Sequence, residues 1–169
     1  MNEINLKDKI FEIFIPETEI SEIIHSVANA INNTGMKDPL FIAVMNGAFL
    51  FAADVMRKIT IPNAEISFIK LSSYSGTETT GTVNELIGIS SNISNRNIVI
   101  LEDIIDTGIT LNKIMSLLKK ENVADIKIAT LLFKPEAYKS DITIDYIGKL
   151  ISNDFVVGYG LDYDEIGRN

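Results

Sequence analysis

Between positions 102 and 110 the chain places three carboxylates, Glu102, Asp103 and Asp106, beside the loop Thr107-Gly108-Ile109-Thr110. Backbone N–H groups at the start of a helix favour a bound phosphate. Gly108 has no Cβ to block its approach, and Thr107 and Thr110 add hydroxyl donors. The carboxylates are wrong for gripping a phosphate directly, because like charges repel. They make sense if a divalent cation or sugar hydroxyls lie between. A phosphorylated sugar with Mg²⁺ meets both demands.

These residues need a strand behind them and a helix ahead. Residues 98–101, Ile-Val-Ile-Leu, form the apolar run of a central strand buried on both faces of a parallel sheet. After Thr107-Gly108, apolar Leu111, Ile114, Met115 and Leu118 recur at helical spacing, with Lys119 and Lys120 in the last turn. Neighbouring residues on a regular strand face opposite ways, so Glu102 and Asp103 share a site only where the strand is ending.

The same logic recurs upstream. Leu40–Val44 reads as a second buried strand, followed by Met45-Asn46-Gly47-Ala48 and a helix to about Lys58. This loop is a second candidate anion pocket, or simply a tight turn. Pro16 and Thr18 precede an amphipathic helix carrying Ile20, Ile23, Ile24, Val27 and Ile31, ended by Asn32-Asn33-Thr34-Gly35. His25, the only histidine, lies off that apolar stripe and receives no role. Further strands are predicted over 64–71, 83–89, 125–133, 142–147 and 155–159.

A net charge of −8 argues against a nucleic-acid surface, which needs a basic face. With no cysteine, disulfide, zinc-thiolate and thiol-nucleophile chemistry are excluded. The opening residues lack a basic stretch followed by an apolar core. The most apolar stretch, 40–56, is interrupted by Asn46, Gly47 and Asp54, so no membrane span is expected and a cytoplasmic location is the default. Gly76 and Gly81 have P-loop spacing, but Thr82-Val83 stands where lysine and a hydroxyl residue are needed. Gly158-Tyr159-Gly160 lacks the third glycine of a dinucleotide loop. At 169 residues, with no repeat or linker, the chain is expected to form one domain.

The run from Ile98 to Leu111, apolar strand, Glu-Asp, two apolar residues and Asp-Thr-Gly-x-Thr, closely resembles the 5-phosphoribosyl-pyrophosphate (PRPP) motif of the type I phosphoribosyltransferases, in their hypoxanthine-guanine branch. The resemblance extends from the Met45 loop to Arg168. It implies an α/β fold, a mainly parallel twisted sheet flanked by helices, with a core over about 36–133. A small hood from about 1–17 and 134–169 and a mobile lid over about 72–82, with Ser73-Tyr74 at its base, complete it. The implied reaction is Mg²⁺-dependent transfer of 5-phosphoribose from PRPP to N9 of a 6-oxopurine.

By that resemblance Thr107, Gly108 and Thr110 hold the 5′-phosphate. Glu102 and Asp103 hold the ribose hydroxyls and, with Asp162, the Mg²⁺. Asp106 is the general base. Met45, Asn46 and Gly47, commonly through a cis peptide, face the pyrophosphate with Arg168. Lys134 donates to the purine O6, Phe155 stacks on the ring and Val156 reads its edge. A lysine ammonium has no acceptor, so it suits a 6-oxo group and mismatches adenine. Two positions depart from many relatives, which carry lysine or another polar residue at Ile109 and Asn46. Relatives also usually continue beyond Arg168, which leaves open how firmly that side chain is held. A xanthine-preferring enzyme and a non-catalytic PRPP sensor are the alternatives. Asp106, Lys134 and Asp162 argue against the sensor, which needs only the phosphate loop. A homodimer or homotetramer is expected by analogy.

Overall fold

The structure, a computed structural model, describes residues 3–71, 85–87 and 92–169. Strands β1 (Ile4–Leu6) and β2 (Lys9–Phe11) pair as an antiparallel hairpin that the sequence pattern does not announce. Helix α1 (Glu17–Asn32) follows, with Glu17 and Glu19 in its first turn, where the helix dipole favours negative charge. Its buried face is Ile24, Val27, Ala28 and Ile31, the predicted stripe. His25 lies on the exposed side, hydrogen-bonded to Asn29.

The remaining strands form one six-stranded sheet. They are β3 (Leu40–Val44), β4 (Glu65–Leu71), β5 (Glu85–Ile87), β6 (Asn97–Ile105), β7 (Asp125–Phe133) and β8 (Tyr146–Leu150), in the order β5-β4-β3-β6-β7-β8. All neighbours run parallel except the edge strand β5. Buried on both faces, β3 and β6 carry the uninterrupted apolar runs such strands need. Phe41, Ala43, Val99 and Leu101 pack under α1 and α2 (Phe49–Met56). Leu40, Ile42, Ile98 and Ile100 pack with α3 (Ile109–Leu118) on the other face.

From β3 the chain steps to β4 on one side, and β6 returns to the other. Helices α2 and α3 therefore leave opposite faces, and a crevice opens between the carboxyl ends of β3 and β6. This is where open parallel sheets bind ligands. The loops at those two ends are 45–48 and 106–108.

Several expected boundaries shift. Helix α2 stops at Met56, and α3 at Leu118, followed by a single 3-10 turn over Lys119–Glu121. The strand expected over 142–147 is β8, displaced to Tyr146–Leu150. Ile142 and Ile144 pack beneath the sheet instead, and Asp145 turns the chain by accepting the Ile128 N–H at 2.9 Å. No strand forms over 155–159. Residues 158–160 all have positive φ, which breaks an extended run, and the segment closes only isolated bridges, Gly158 with Leu161 and Tyr163 with Ile166. The predicted lid, including Ser73 and Tyr74, lies outside the described residues. No helix among those described is long and apolar enough to cross a membrane.

Candidate active site

Strand β6 continues through Glu102 and Asp103 to Ile105, so the strand does not end where these carboxylates begin. Its pairing is what ends. The ladder with β3 stops at Leu101, while β7 still pairs with Glu102, Ile104 and Ile105. One edge of β6 is thus open over its last residues, and both carboxylates line the cleft there despite alternation. Glu102 is 5% exposed and Asp103 9%. Burial, reinforced by the neighbouring Asp103 charge, holds the Glu102 pKa well above the usual carboxylate range. Burial pushes Asp103 up to about 6, against N–H donation from the backbone and the Arg168 charge, which favour its ionised form.

The cleft has a volume of about 360 Å³. Around it stand Met45, Asn46 and Gly47 from the β3 loop, Glu102 and Asp103 from β6, Thr110 and Lys113 from α3, and Asp162 and Arg168 from the C-terminal segment. The Met45–Asn46 peptide is cis, as the resemblance implies. Gly47 lies so close to Asp103 that a Cβ would overlap its carboxylate. Asn46 Oδ1 accepts from Lys70 Nζ at 3.2 Å, which brings a cation to a loop whose own residues have none. Arg168 is held firmly: Nη2 pairs with Asp162 Oδ1 at 2.8 Å, and Nη1 donates to the Gly160 carbonyl at 2.6 Å.

The Thr107–Thr110 loop is braced from behind. Gly108, at φ +84°, sits in the left-handed region, and a Cβ there would meet the Tyr138 ring at 2.7 Å and Ser140 at 2.9 Å. Lys139 N–H donates to the Thr107 carbonyl at 3.2 Å, and Thr107 Oγ1 accepts weakly from Ile109 N–H at 3.5 Å. Ile109 is 60% exposed and adds no charge. Lys113, which the sequence reading passed over, brings a cation to the cleft one turn beyond Thr110. Its i, i+3 spacing from Thr110 is the signal that would have found it.

A second group lies where β6 and β7 end together. Lys134, 8% exposed, pairs with Asp106 at 3.4 Å, and its backbone N–H donates to the Ile105 carbonyl. Asp106 and Lys134, 28 residues apart in sequence, are thus neighbours in space. Phe155 is 57% exposed, so it is no core aromatic. It packs against Phe11 (6.2 Å, tilted) and Tyr163 (5.7 Å, edge-on), while Val156 rests on the core below α1. The hairpin β1–β2 and the C-terminal tail are joined further by Lys7 with Asp164 (3.0 Å) and Tyr163 O–H donating to Asp8 (2.6 Å).

Among the described residues no three acidic or histidine side chains gather closely enough to cage a metal ion. Asp162 is already engaged by Arg168 and by the Glu165 N–H. Such an arrangement fits a divalent ion only if water and ligand oxygens complete its shell, as Mg²⁺ commonly requires.

The family profile described as a phosphoribosyl transferase domain matches residues 15–164. The hypoxanthine-guanine phosphoribosyltransferase of Staphylococcus epidermidis is 40% identical over 159 residues, covering 93% of this chain and 88% of that protein. Its Staphylococcus aureus counterpart is 38% identical over 160 residues, covering 94% and 89%. A crystal structure of a Bacillus anthracis hypoxanthine-guanine phosphoribosyltransferase superposes with a TM-score of 0.86 at 40% identity, covering 95% of each chain. The hypoxanthine phosphoribosyltransferase of Trypanosoma cruzi, at 32% identity, superposes with a TM-score of 0.86 over 98% of this chain and 91% of that one. With these relatives, a parallel sheet that opens its crevice between β3 and β6, and a Thr107–Thr110 loop beside two buried carboxylates, the chain belongs to the phosphoribosyl transferase family, in its hypoxanthine-guanine branch.

Proposed function

We propose that the protein transfers 5-phosphoribose from PRPP to N9 of a 6-oxopurine, hypoxanthine or guanine, releasing pyrophosphate and giving the nucleoside monophosphate, a purine-salvage reaction. The Lys134–Asp106 pair carries this reading. O6 and N7 share one edge of a 6-oxopurine. An ammonium and a carboxylate 3.4 Å apart match that edge, the first donating to O6 and the second accepting a proton from the ring nitrogen. As the N9–C1′ bond forms, that proton passes to Asp106. The C1′–oxygen bond breaks, and its electron pair leaves with pyrophosphate.

Each remaining group has a matching task. The Thr107–Thr110 loop and Lys113 hold the 5′-phosphate at the start of α3. Glu102 and Asp103 face the ribose hydroxyls, and Phe155 stacks on the purine. Loop 45–47 and Arg168 flank the pyrophosphate. Mg²⁺, held by one or two of Glu102, Asp103 and Asp162 together with substrate oxygens, would offset charge on the leaving group. Residues 1–17 and the parts of 134–169 outside β8, which belongs to the main sheet, act as the hood over this core.

A PRPP- and Mg²⁺-dependent assay run with hypoxanthine, guanine, xanthine and adenine tests the reading. Turnover on hypoxanthine or guanine is expected, with adenine rejected by as much as ~10⁴-fold, because a buried donor set for O6 is left unpaired by an amino group. Comparable turnover on adenine overturns the role of Lys134. Asp106→Asn should lower kcat by about 10²–10⁴-fold and leave PRPP affinity nearly unchanged. Unaltered kcat would remove Asp106 as the base.

A further inference from the structure

Residues 158–162 have no strand partner in the main sheet, yet they lead into Asp162 and on to Arg168. The backbone passes through three consecutive left-handed conformations, Gly158 (φ +92°), Tyr159 (+48°) and Gly160 (+102°). The glycines adopt these freely, whereas a tyrosine does so only against the steric strain of its Cβ. Something must hold Tyr159 there. Its ring packs on the core beneath α1 and α2, and its hydroxyl donates to Asp54 Oδ2 on α2 at 2.6 Å, across 105 residues of sequence. Burial first, then this bond, raises the phenol pKa, so the O–H remains a donor.

Next along the chain, Gly160 rests directly on the Gly47 carbonyl, leaving no room for a Cβ. Its N–H donates to the Arg168 carbonyl at 2.7 Å, and its own carbonyl accepts from the Arg168 guanidinium. Loop 45–48 runs straight into α2, the helix that carries Asp54. The same two pieces, loop plus α2 and the 158–168 segment, are therefore joined twice. One joint is the Gly160–Gly47 contact at the cleft; the other is Tyr159–Asp54 behind it.

We propose that Tyr159 is a positioning residue for the pyrophosphate half of the site: its hydrogen bond to Asp54 sets the gap between the Met45–Asn46–Gly47 loop and Arg168. The inference rests on the phosphoribosyl-transfer reading above. The purine half is carried by Lys134 with Asp106 at the ends of β6 and β7 and by Phe155, whose ring Phe11 holds as well as Tyr163, so its support does not run through the Tyr159–Asp54 bond.

Tyr159→Phe keeps the ring and removes only the donor. Asp54→Ala removes the acceptor, and Asp54→Asn keeps an acceptor oxygen. Binding of inorganic pyrophosphate by calorimetry, with and without Mg²⁺, is read beside KM for PRPP, KM for the purine, kcat and the thermal midpoint. Tyr159→Phe and Asp54→Ala should each weaken pyrophosphate binding and raise KM for PRPP about five- to tenfold. Purine KM and kcat should stay within about twofold. Asp54→Asn should behave nearly as wild type, and the double variant no worse than either single. Folded Tyr159→Phe protein with unchanged pyrophosphate binding overturns the proposal. Equal rises in both KM values, or additive losses in the double variant, do so as well. Wild-type protein that binds pyrophosphate but transfers nothing counts against the enzymatic reading alone, and the titration still decides the role of Tyr159. Wild-type protein that does neither overturns both.

Discussion

One wall of the cleft stands on the carboxyl ends of β3 and β6, where ladders and helices satisfy the backbone and the side chains sit in a packed core. The facing wall, residues 158–168, is a coil closed by isolated bridges and held by side chains reaching across the molecule. The sheet wall carries Glu102 and Asp103, buried and disfavoured in their charged form. The coil wall carries Arg168, which eases that disfavour for Asp103 from a distance. The rigid wall can bear electrostatic strain because many ladder bonds hold it. The coil can supply the compensating charge only if it is accurately seated.

Unseating the coil should have the largest effect. At Gly160 a methyl group would overlap the Gly47 carbonyl, and φ of +102° is strained for any other residue. Gly160→Ala should cost about 2–4 kcal/mol in urea unfolding and lower PRPP turnover by more than about tenfold. Gly35→Ala is the control. It shares a positive φ, +70°, but has open space around it, and should cost about 1 kcal/mol with turnover intact. Equal costs at the two sites would mean that backbone strain, not the contact with Gly47, holds the coil in place.

Relieving the sheet wall should be the next largest effect, and of opposite sign. Asp103 ionises near 3.8 in an unfolded chain and near 6 when folded, because burial disfavours its charge. The folded state therefore binds the extra proton between those values. The stability this provides is full below 3.8 and is lost as pH rises through 6. Without metal or substrate, the charged carboxylate costs at most ~3 kcal/mol at pH 7. Asp103→Asn in chelator-treated buffer should raise stability at pH 7 by about 1–3 kcal/mol and flatten the profile between pH 4 and 6, while impairing PRPP binding. A variant less stable than wild type at pH 7 would mean that hydrogen bonds to the carboxylate outweigh its burial.

The same contrast explains what was legible beforehand. Leu40–Val44 and residues 98–101 announce themselves as apolar runs, and the Ile20–Ile31 stripe announces α1, because local period and burial agree there. Motif residues that follow those elements, Asp106 and Thr107 to Thr110, are placed by them. In the coil wall, pattern misleads. Phe155 to Tyr159 has a strand's composition, but Gly158 and Gly160 let the chain curl onto Gly47, and only the fold brings Gly47 there. Likewise the Asp106–Lys134 pair depends on β6 and β7 ending side by side, and Lys70 beside Asn46 on β4 lying next to β3. Neither meeting has a local signal.

The smallest expected effect asks what seats the β1–β2 hairpin against the C-terminal tail. Three kinds of contact join the β1–β2 hairpin to the tail: the Lys7–Asp164 ion pair, the Tyr163–Asp8 hydrogen bond, and the aromatic cluster of Phe11, Phe155 and Tyr163. Lys7 and Asp164 are 44% and 66% exposed, so water and salt screen their attraction, and fixing two flexible side chains opposes it. The cluster instead removes apolar surface from water and orients three rings at 5.7–6.4 Å, a gain that salt does not weaken. Lys7→Met should therefore change stability by less than about 0.5 kcal/mol and leave purine KM unaltered. Phe11→Ala should raise purine KM severalfold by freeing the Phe155 ring it supports. If Lys7→Met alone raised purine KM, or if wild-type KM rose steeply with salt, the ion pair would be the seat, and the two walls would share an electrostatic design.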